Sequence, residues 1–228
     1  MDSSNGNILA ASDVTKTVTT GEGHLTILSG ISFAIKRSES VAIVGVSGSG
    51  KSTLLSLLAG LDQPSTGSIR LCDHALEQLD EDGRAAVRGA HVGFVFQSFQ
   101  LLPNLTALEN TLLPMEVLGH GDAEPAARAL LERVGLGKRL SHYPRQLSGG
   151  EQQRVAIARA FISGPEILFA DEPTGNLDAA TGQKIIDLLF EINQERNTTL
   201  VLVTHDTALA QRCQRRLELH GGALVTQS

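Results

Sequence analysis

Nine consecutive residues, GVSGSGKST, combine glycines with one lysine and several hydroxyl side chains. They follow the apolar run VAIV, and their last three residues begin the segment KSTLLSLLAGL. The motif therefore connects a predicted buried strand to a predicted helix. In such a turn, backbone N–H groups can close around phosphate oxygens, the lysine can neutralise the terminal phosphates, and a hydroxyl can bind Mg²⁺. A plain glycine-rich turn is the alternative. The predicted phosphate-binding residues are Gly45, Val46, Ser47, Gly48, Ser49, Gly50, Lys51, Ser52 and Thr53, with Ser52 also a metal ligand.

A second segment, QLSGGEQQRVAIARAF, places two glycines where a long helix is expected to begin. Ser148 and Glu151 stand three residues apart before an amphipathic run, which is the spacing of an ordinary capping box. Gly149 and Gly150 do not suit that simple interpretation, because glycine costs about 1 kcal/mol relative to alanine inside a helix. Two of them in the first turn indicate that another group approaches the backbone closely.

Polar residues also end three apolar runs. Asp171 and Glu172 close ILFADE, where the first could face Mg²⁺ through water and the second could polarise an attacking water. Gln97 follows FVF and could reach the same metal ion or water, and His205 follows LVLVT in the same way. Each of them could instead be an ordinary polar residue at a strand end, with Asp206 capping a helix.

The pattern of apolar residues predicts the elements that position these groups. Strands are expected at about 8–18, 25–35, 41–44, 67–73, 166–170 and 198–204. A helix at 182–195 joins the last two of these strands into a βαβ unit, which predicts a parallel sheet. Residues 98–160 lack strong strand signals and contain the amphipathic AEPAARALLERVGL, so a mostly helical lobe is predicted there.

Composition limits the classes of function. The net charge of -6, from 25 acidic and 19 basic residues, argues against a general nucleic-acid binder. Cys72 and Cys213 have no metal-ligand spacing, so we expect two buried thiols in a reducing compartment. The first residues lack the pattern of a secretory signal, and no apolar run approaches the roughly 20 residues that cross a bilayer. A cytoplasmic protein whose membrane role depends on a partner is therefore expected.

Taken together, these segments resemble the nucleotide-binding subunits of ABC transporters. GVSGSGKS is similar to their Walker A motif, ILFADE to Walker B, LSGGEQ (Leu147–Gln152) to the signature motif, and GNLD (Gly175–Asp178) to the D-loop. The resemblance implies an α/β, P-loop NTPase ABC-type fold with a mixed sheet, an antiparallel β subdomain and an inserted helical subdomain. It implies one nucleotide-binding domain over residues 1–228, with a RecA-like core at about 1–97 and 161–228 and a helical subdomain at about 98–160.

The same resemblance implies a homodimer with head-to-tail ATP sites. Each ATP, with Mg²⁺, would lie between the Walker A loop of one copy and the signature helix of the other, which explains two phosphate-binding helix starts in one chain. The implied catalytic residues are Lys51, Gln97 as the Q-loop glutamine, Glu172 as the base and His205 as the switch histidine. The implied metal ligands are Ser52, Gln97 and Asp171, and the implied nucleotide contacts outside Walker A are Ser148, Gly149, Gly150, Glu151 and Asp178.

Finer features resemble the branch that includes the LolD, MacB and YbbA proteins, and HVGFVFQSFQLLP is most similar to YbbA. That branch implies export, extraction or mechanical work on an extracytoplasmic substrate through a separate permease of the FtsX, MacB or YbbP type. It places the chain at the cytoplasmic face of a bacterial inner membrane, with no nucleic-acid partner. The alternatives are a soluble ABC ATPase acting on DNA or ribosomes, and a non-hydrolysing ATP-dependent clamp.

Two further expectations concern the surfaces around the nucleotide. The family usually has an adenine-stacking aromatic residue near the end of its first strand, but none occurs at about Thr17 or Val18. Phe33 precedes Walker A but is predicted to lie in the core, so weak selectivity for the base is expected. The apolar stretch Ser98–Leu118 is expected to form mainly the core of the lobe, with a minority of residues contacting the permease.

Overall fold

The computed structural model describes residues 6–21 and 23–227. Its strands are β1 (Asn7–Thr20), β2 (Gly23–Lys36), β3 (Ser40–Val44), β4 (Thr66–Leu71), β5 (His74–Ala75), β6 (Val92–Phe96), β7 (Ile167–Asp171), β8 (Thr199–Val203), β9 (Arg215–His220) and β10 (Ala223–Gln227). Its α-helices are α1 (Lys51–Leu58), α2 (Glu81–His91), α3 (Ala107–Val117), α4 (Glu124–Arg133), α5 (Gly149–Phe161), α6 (Ala179–Arg196) and α7 (Thr207–Ala210). The chain divides into two compact units, one of Met1–Arg88 with Thr198–Ser228 and one of Gly89–Asn197.

The first unit contains the predicted antiparallel sheet, with strand order β2-β1-β4-β5. Along β2 the side chains of Ile31, Phe33 and Ile35 are buried while the intervening Ser32 is exposed, as alternation predicts for a strand with one covered face. The predicted strand at 67–73 ends earlier, at Leu71, because Cys72 and Asp73 adopt positive φ angles of 47° and 66° and turn the chain.

The first unit also contains a set of parallel and antiparallel strand pairs. β3 pairs in parallel with β8 on one side and β9 on the other, and β10 pairs antiparallel with β9. Val41, Ala42 and Ile43 of β3 are fully buried, as expected for a parallel strand covered on both faces. The sequence reasoning predicted β3 and β8 but not β9 or β10.

The second unit contains one parallel strand pair and most of the helices. β6 and β7 pair with Val92 opposite Ile167 and Phe96 opposite Asp171. The predicted helical stretch contains α3, α4 and α5, and no described residue of 98–160 lies in a strand. The helix predicted at 182–195 is α6, which buries the predicted apolar face of Ile185, Ile186, Leu189 and Ile192. The proposed subdomain boundaries near residues 97 and 161 remain predictions.

Both cysteines, Cys72 and Cys213, are buried, as the sequence predicts, and they form no disulfide. Burial raises the pKa of the Cys213 thiol to about 12, so this side chain stays neutral and weakly nucleophilic. Within residues 6–21 and 23–227, no helix has both the length and the apolar character that a membrane span requires.

A buried amide shapes the loop that leads into α3. Asn110 is fully buried and accepts a hydrogen bond from Leu102 N at 2.8 Å. Its Nδ2 group donates to the carbonyl oxygens of Leu102, Leu105 and Thr106 at 3.1, 2.9 and 3.0 Å. One side chain thus satisfies several backbone groups of a loop that lies outside any strand or helix.

We expect Asn110→Asp to lower the free energy of unfolding by about 3 kcal/mol or more, because a carboxylate cannot donate to those carbonyls and would be buried as a charge. Urea unfolding measures the change. Thr111→Val is the control, since Thr111 is equally buried but its hydroxyl bonds only Ala107 O in its own helix. That control should cost about 1 kcal/mol or less, and equal losses in both variants would contradict the assignment.

Candidate nucleotide-binding site

The predicted phosphate loop joins β3 to α1 in the first unit. Gly50 is the N-cap of α1 and provides no side-chain acceptor, and the first turn of this helix contains no acidic residue. No capping side chain therefore accepts hydrogen bonds from the N–H groups of that turn. These free donors at the start of α1 suit an anion. Ser47, Gly48 and Ser52 are exposed, Val46 is 65% exposed, and Ser49 is buried.

Lys51 lies across its own loop. Its Nζ donates to the carbonyl oxygens of Gly45 and Val46 at 2.8 and 3.0 Å. The buried Ser49 Oγ has no hydrogen-bond partner among the described residues. The lysine cation, the unpartnered Ser49 hydroxyl and the uncapped N–H groups at the start of α1 are the kinds of donor that phosphate oxygens require, so this loop fits a nucleotide phosphate chain.

His205 follows β8 in the same unit. Ile43 of β3 lies opposite Val203 of β8, and Thr204 N donates to Ile43 O at 3.2 Å, so the phosphate loop and His205 leave the sheet at the same edge. The His205 side chain is exposed. Asp206 is the N-cap of α7 and accepts from Ala208 N at 2.8 Å, which confirms the capping role considered from the sequence.

Gln97 and the predicted carboxylates belong to the second unit. Because Phe96 pairs with Asp171, Gln97 and Glu172 both follow the carboxyl ends of neighbouring parallel strands. Asp171 and Glu172 are half-buried, and Glu172 has a positive φ of 45°. Gly175 N donates to Glu172 O at 3.0 Å, so the chain turns sharply after this residue.

Asn176 connects the Q-loop glutamine to the D-loop, a contact that the sequence reasoning missed. Gln97 Nε2 donates to Asn176 Oδ1 at 3.3 Å, and Asn176 Nδ2 donates to Gln97 O at 2.9 Å. A Cβ atom on Gly175 would lie 2.7 Å from Gln97 Nε2. In the sequence, only the motif GNLD drew attention to Asn176. Its contact with Gln97 could not be predicted, because the two residues lie far apart in the sequence.

The signature segment forms the predicted capping box. Ser148 is the N-cap of α5, and its Oγ accepts from Glu151 N at 3.3 Å and donates to Glu151 Oε2 at 2.9 Å. The Ser148 backbone N–H donates to the same carboxylate oxygen at 2.8 Å. The pKa of Glu151 lies below its ordinary value, and this backbone hydrogen bond is the largest cause. Ser148 is exposed, so its hydroxyl can exchange this intrachain bond for a ligand.

The two signature glycines have neighbours inside their own unit. A Cβ on Gly150 would lie 2.5 Å from Thr181 Cγ2, and a Cβ on Gly149 would lie 3.2 Å from Leu177 Cδ2. Close packing against the D-loop and α6 therefore requires a glycine at 150 whether or not phosphate binds there. Asp178 caps α6 by accepting from Thr181 N at 3.0 Å, so its predicted nucleotide contact coexists with a structural role.

Two polar side chains of α5, the buried Gln153 and the half-buried Arg159, reach the loops that carry Glu172 and Gln97. Gln153 Nε2 donates to Pro173 O at 2.7 Å. Arg159 donates to the carbonyl oxygens of Gln100 and Phe99 at 2.6 and 2.9 Å, just beyond Gln97. Burial lowers the pKa of Arg159 from its ordinary value. Neither residue was a candidate from the sequence, because helical spacing alone does not reveal what a buried polar side chain contacts.

Comparisons with known proteins agree with this geometry. Residues 28–175 match the family model described as ABC transporter. The chain is 57% identical over 224 residues to the uncharacterised ABC transporter ATP-binding protein YbbA of Escherichia coli K12, covering 97% of this chain and 98% of that protein. It is 50% identical over 223 residues to the lipoprotein-releasing system ATP-binding protein LolD of Hydrogenovibrio crunogenus, covering 97% of each.

Among solved structures, the chain resembles the dimeric post-hydrolysis state of the ATP-binding cassette MJ0796 bound to ADP and Pi. The TM-score is 0.88 at 39% sequence identity, over 96% of this chain and 97% of that one. The family match, the two full-length relatives and this structural likeness show that the chain belongs to the ABC transporter ATP-binding family, as an ATPase subunit with the mixed α/β fold of these cassettes.

Proposed function

We propose that two copies of this chain form a head-to-tail dimer around two ATP molecules and drive a separate membrane permease. The observation that carries the proposal is the start of α1, which has neither a side-chain cap nor an acidic residue in its first turn, together with the exposed Ser148 hydroxyl at the start of α5 in the second unit. The dimeric state of MJ0796 with ADP and Pi supports the same arrangement here. In this dimer, Ser148, Gly149 and Gly150 of one copy face the γ-phosphate held by Lys51 of the other.

The proposed site residues divide by chemical role. Lys51 and the backbone of residues 45–53 hold the phosphates, and the hard oxygen ligands for Mg²⁺ are Ser52, Gln97 and Asp171. Mg²⁺, when bound, neutralises phosphate charge during transfer to water. Glu172 orients the attacking water and accepts its proton, while His205 stabilises the γ-phosphate.

The partner surface is proposed to lie in the helical stretch beyond Gln97. Leu102 and Val117 are 45% and 78% exposed, whereas Ala107, Asn110 and Thr111 are buried in the core. This division supports the expectation that only some apolar residues of Ser98–Leu118 contact the permease. We also propose a permease of the FtsX, MacB or YbbP type, work on an extracytoplasmic substrate, and a peripheral position on the cytoplasmic face of a bacterial inner membrane. The likeness to LolD, the ATP-binding protein of a lipoprotein-releasing system, supports a separate membrane partner.

Glu172→Gln should lower the ATPase rate by about 100-fold or more, because general-base catalysis is lost while ATP binding is retained. Size-exclusion chromatography with ATP should then show a stable dimer. Glu191→Gln is the control, since Glu191 is an exposed residue of α6 that pairs with Arg133, and it should behave like the wild type. An unchanged ATPase rate in Glu172→Gln would rule out the proposed base.

Gly150→Ala should lower the free energy of unfolding by about 1–3 kcal/mol, because the new methyl group overlaps Thr181 Cγ2. The second substitution Thr181→Ser removes the Thr181 methyl group and keeps the backbone N–H that donates to Asp178. We expect the double variant to regain stability and ATP-dependent dimerisation. A stable double variant that no longer dimerises would show that the phosphate itself excludes a side chain at position 150.

The proposed ATP site should select poorly between bases. Thr17 and Val18 occupy the end of β1 without an aromatic neighbour in sequence, and Phe33 is only 7% exposed in the core. The kcat/KM for GTP should lie within about threefold of that for ATP, and Val18→Tyr should lower the KM for ATP about tenfold through base stacking. A strong ATP preference in the wild-type protein would contradict this expectation.

A further inference from the structure

Glu172 has a backbone conformation that its side chain does not favour. Its φ is 45°, in the left-handed region where residues other than glycine are uncommon. The turn that follows is closed by the hydrogen bond from Gly175 N to Glu172 O at 3.0 Å. Such a conformation persists only where the surrounding structure fixes it. The contacts of this turn therefore decide where the Glu172 carboxylate is held.

Gln153 makes one of those contacts from the interior of α5. Its side chain is fully buried, and Nε2 donates to Pro173 O, the carbonyl of the residue that directly follows Glu172, at 2.7 Å. Pro173 is itself buried, so this carbonyl is shielded from water. The bond is short and nearly inaccessible to solvent competition, which makes it a firm restraint on the turn.

The oxygen atom of the same Gln153 amide takes no part in this bond. Gln153 Oε1 is buried and has no hydrogen-bond partner among residues 6–21 and 23–227. A buried acceptor without a partner opposes folding, so the cost of burying Oε1 offsets much of the stability that the bond to Pro173 O provides. The net contribution of Gln153 to stability is therefore expected to be small.

We propose that Gln153 is a positioning residue for Glu172: through Pro173 O it holds the left-handed backbone that presents the Glu172 carboxylate to the attacking water. The proposal rests on the proposed role of Glu172 as the base. Since Gln153 lies on the helix that starts at Ser148, the signature helix of each copy also fixes the base-bearing turn of that same copy.

Gln153→Met tests the proposal, because methionine has a similar size and cannot donate to Pro173 O. The variant leaves the buried Pro173 O without a donor, which is destabilising, and removes the unpartnered Oε1, which is stabilising, so its thermal unfolding midpoint should stay within about 3 °C of the wild type. Its kcat should fall between about 10-fold and 100-fold, while the KM for ATP changes less than about twofold. In hydrogen exchange without nucleotide, the segment 172–178 should exchange about tenfold faster or more.

Ile157→Val is the matched control. Ile157 is also fully buried on α5, and the loss of one methyl group costs about as much stability as the glutamine change is expected to cost at most. This control should keep the wild-type kcat and the wild-type exchange of segment 172–178. If Gln153→Met keeps the wild-type kcat, or loses kcat only in proportion to its unfolding midpoint as the control does, the positioning role is wrong.

Failure of this proposal is distinguishable from failure of the proposed function. If the wild-type chain hydrolyses ATP but Glu172→Gln keeps the full rate, the base assignment fails and Gln153 has no base to position. If Glu172→Gln is inactive but Gln153→Met shows the wild-type hydrogen exchange of segment 172–178 and the wild-type rate of ATP hydrolysis, only the positioning role fails. The exchange measurement needs no nucleotide, so it reports on the turn even in the first case.

Discussion

The packing of α5 constrains every loop of the second unit that carries a site residue. Its face buries Val155, Ala156, Ile157 and Phe161, and the helix contacts α3, α4, α6 and β6. From this fixed position, Gln153 bonds the turn after Glu172 and Arg159 bonds the two carbonyls beyond Gln97. A helix packed so closely cannot shift at one end without moving the other, because protein interiors have little free volume.

Helix caps have two roles in this molecule. Ser148, Asp178 and Asp206 each accept backbone N–H groups at the start of a helix, and all three lie within or beside the motifs that match the family. Capping accounts for about 1 kcal/mol of stability at each position. The Ser148 hydroxyl is neutral and exposed, so it can exchange its capping bond for an anionic ligand, whereas the carboxylates of Asp178 and Asp206 already satisfy the N–H groups and would repel an anion.

The sequence predicted the parts of the fold that depend on local pattern. Fully apolar runs correctly predicted β3, β7 and β8, and the alternation of apolar and polar residues predicted β2. The S-x-x-E spacing predicted the capping box at Ser148. The contacts of Gln153, Asn176 and Arg159 could not be predicted, because each joins segments that are distant in sequence. The glycine pair at 149–150 predicts that another group approaches the backbone closely, and Thr181 is such a group at position 150.

The position of Gln153 on α5 has a genetic consequence for the proposed dimer. In the proposed head-to-tail pair, the start of α5 would contact the ATP bound by the other copy, whereas Gln153, which bonds Pro173 O of its own copy, would position the proposed base of that same copy. A defect that loosens α5 would therefore impair both ATP sites even when the second copy is normal. In a cell that makes both normal and altered chains, such a defect would act dominantly over the normal allele.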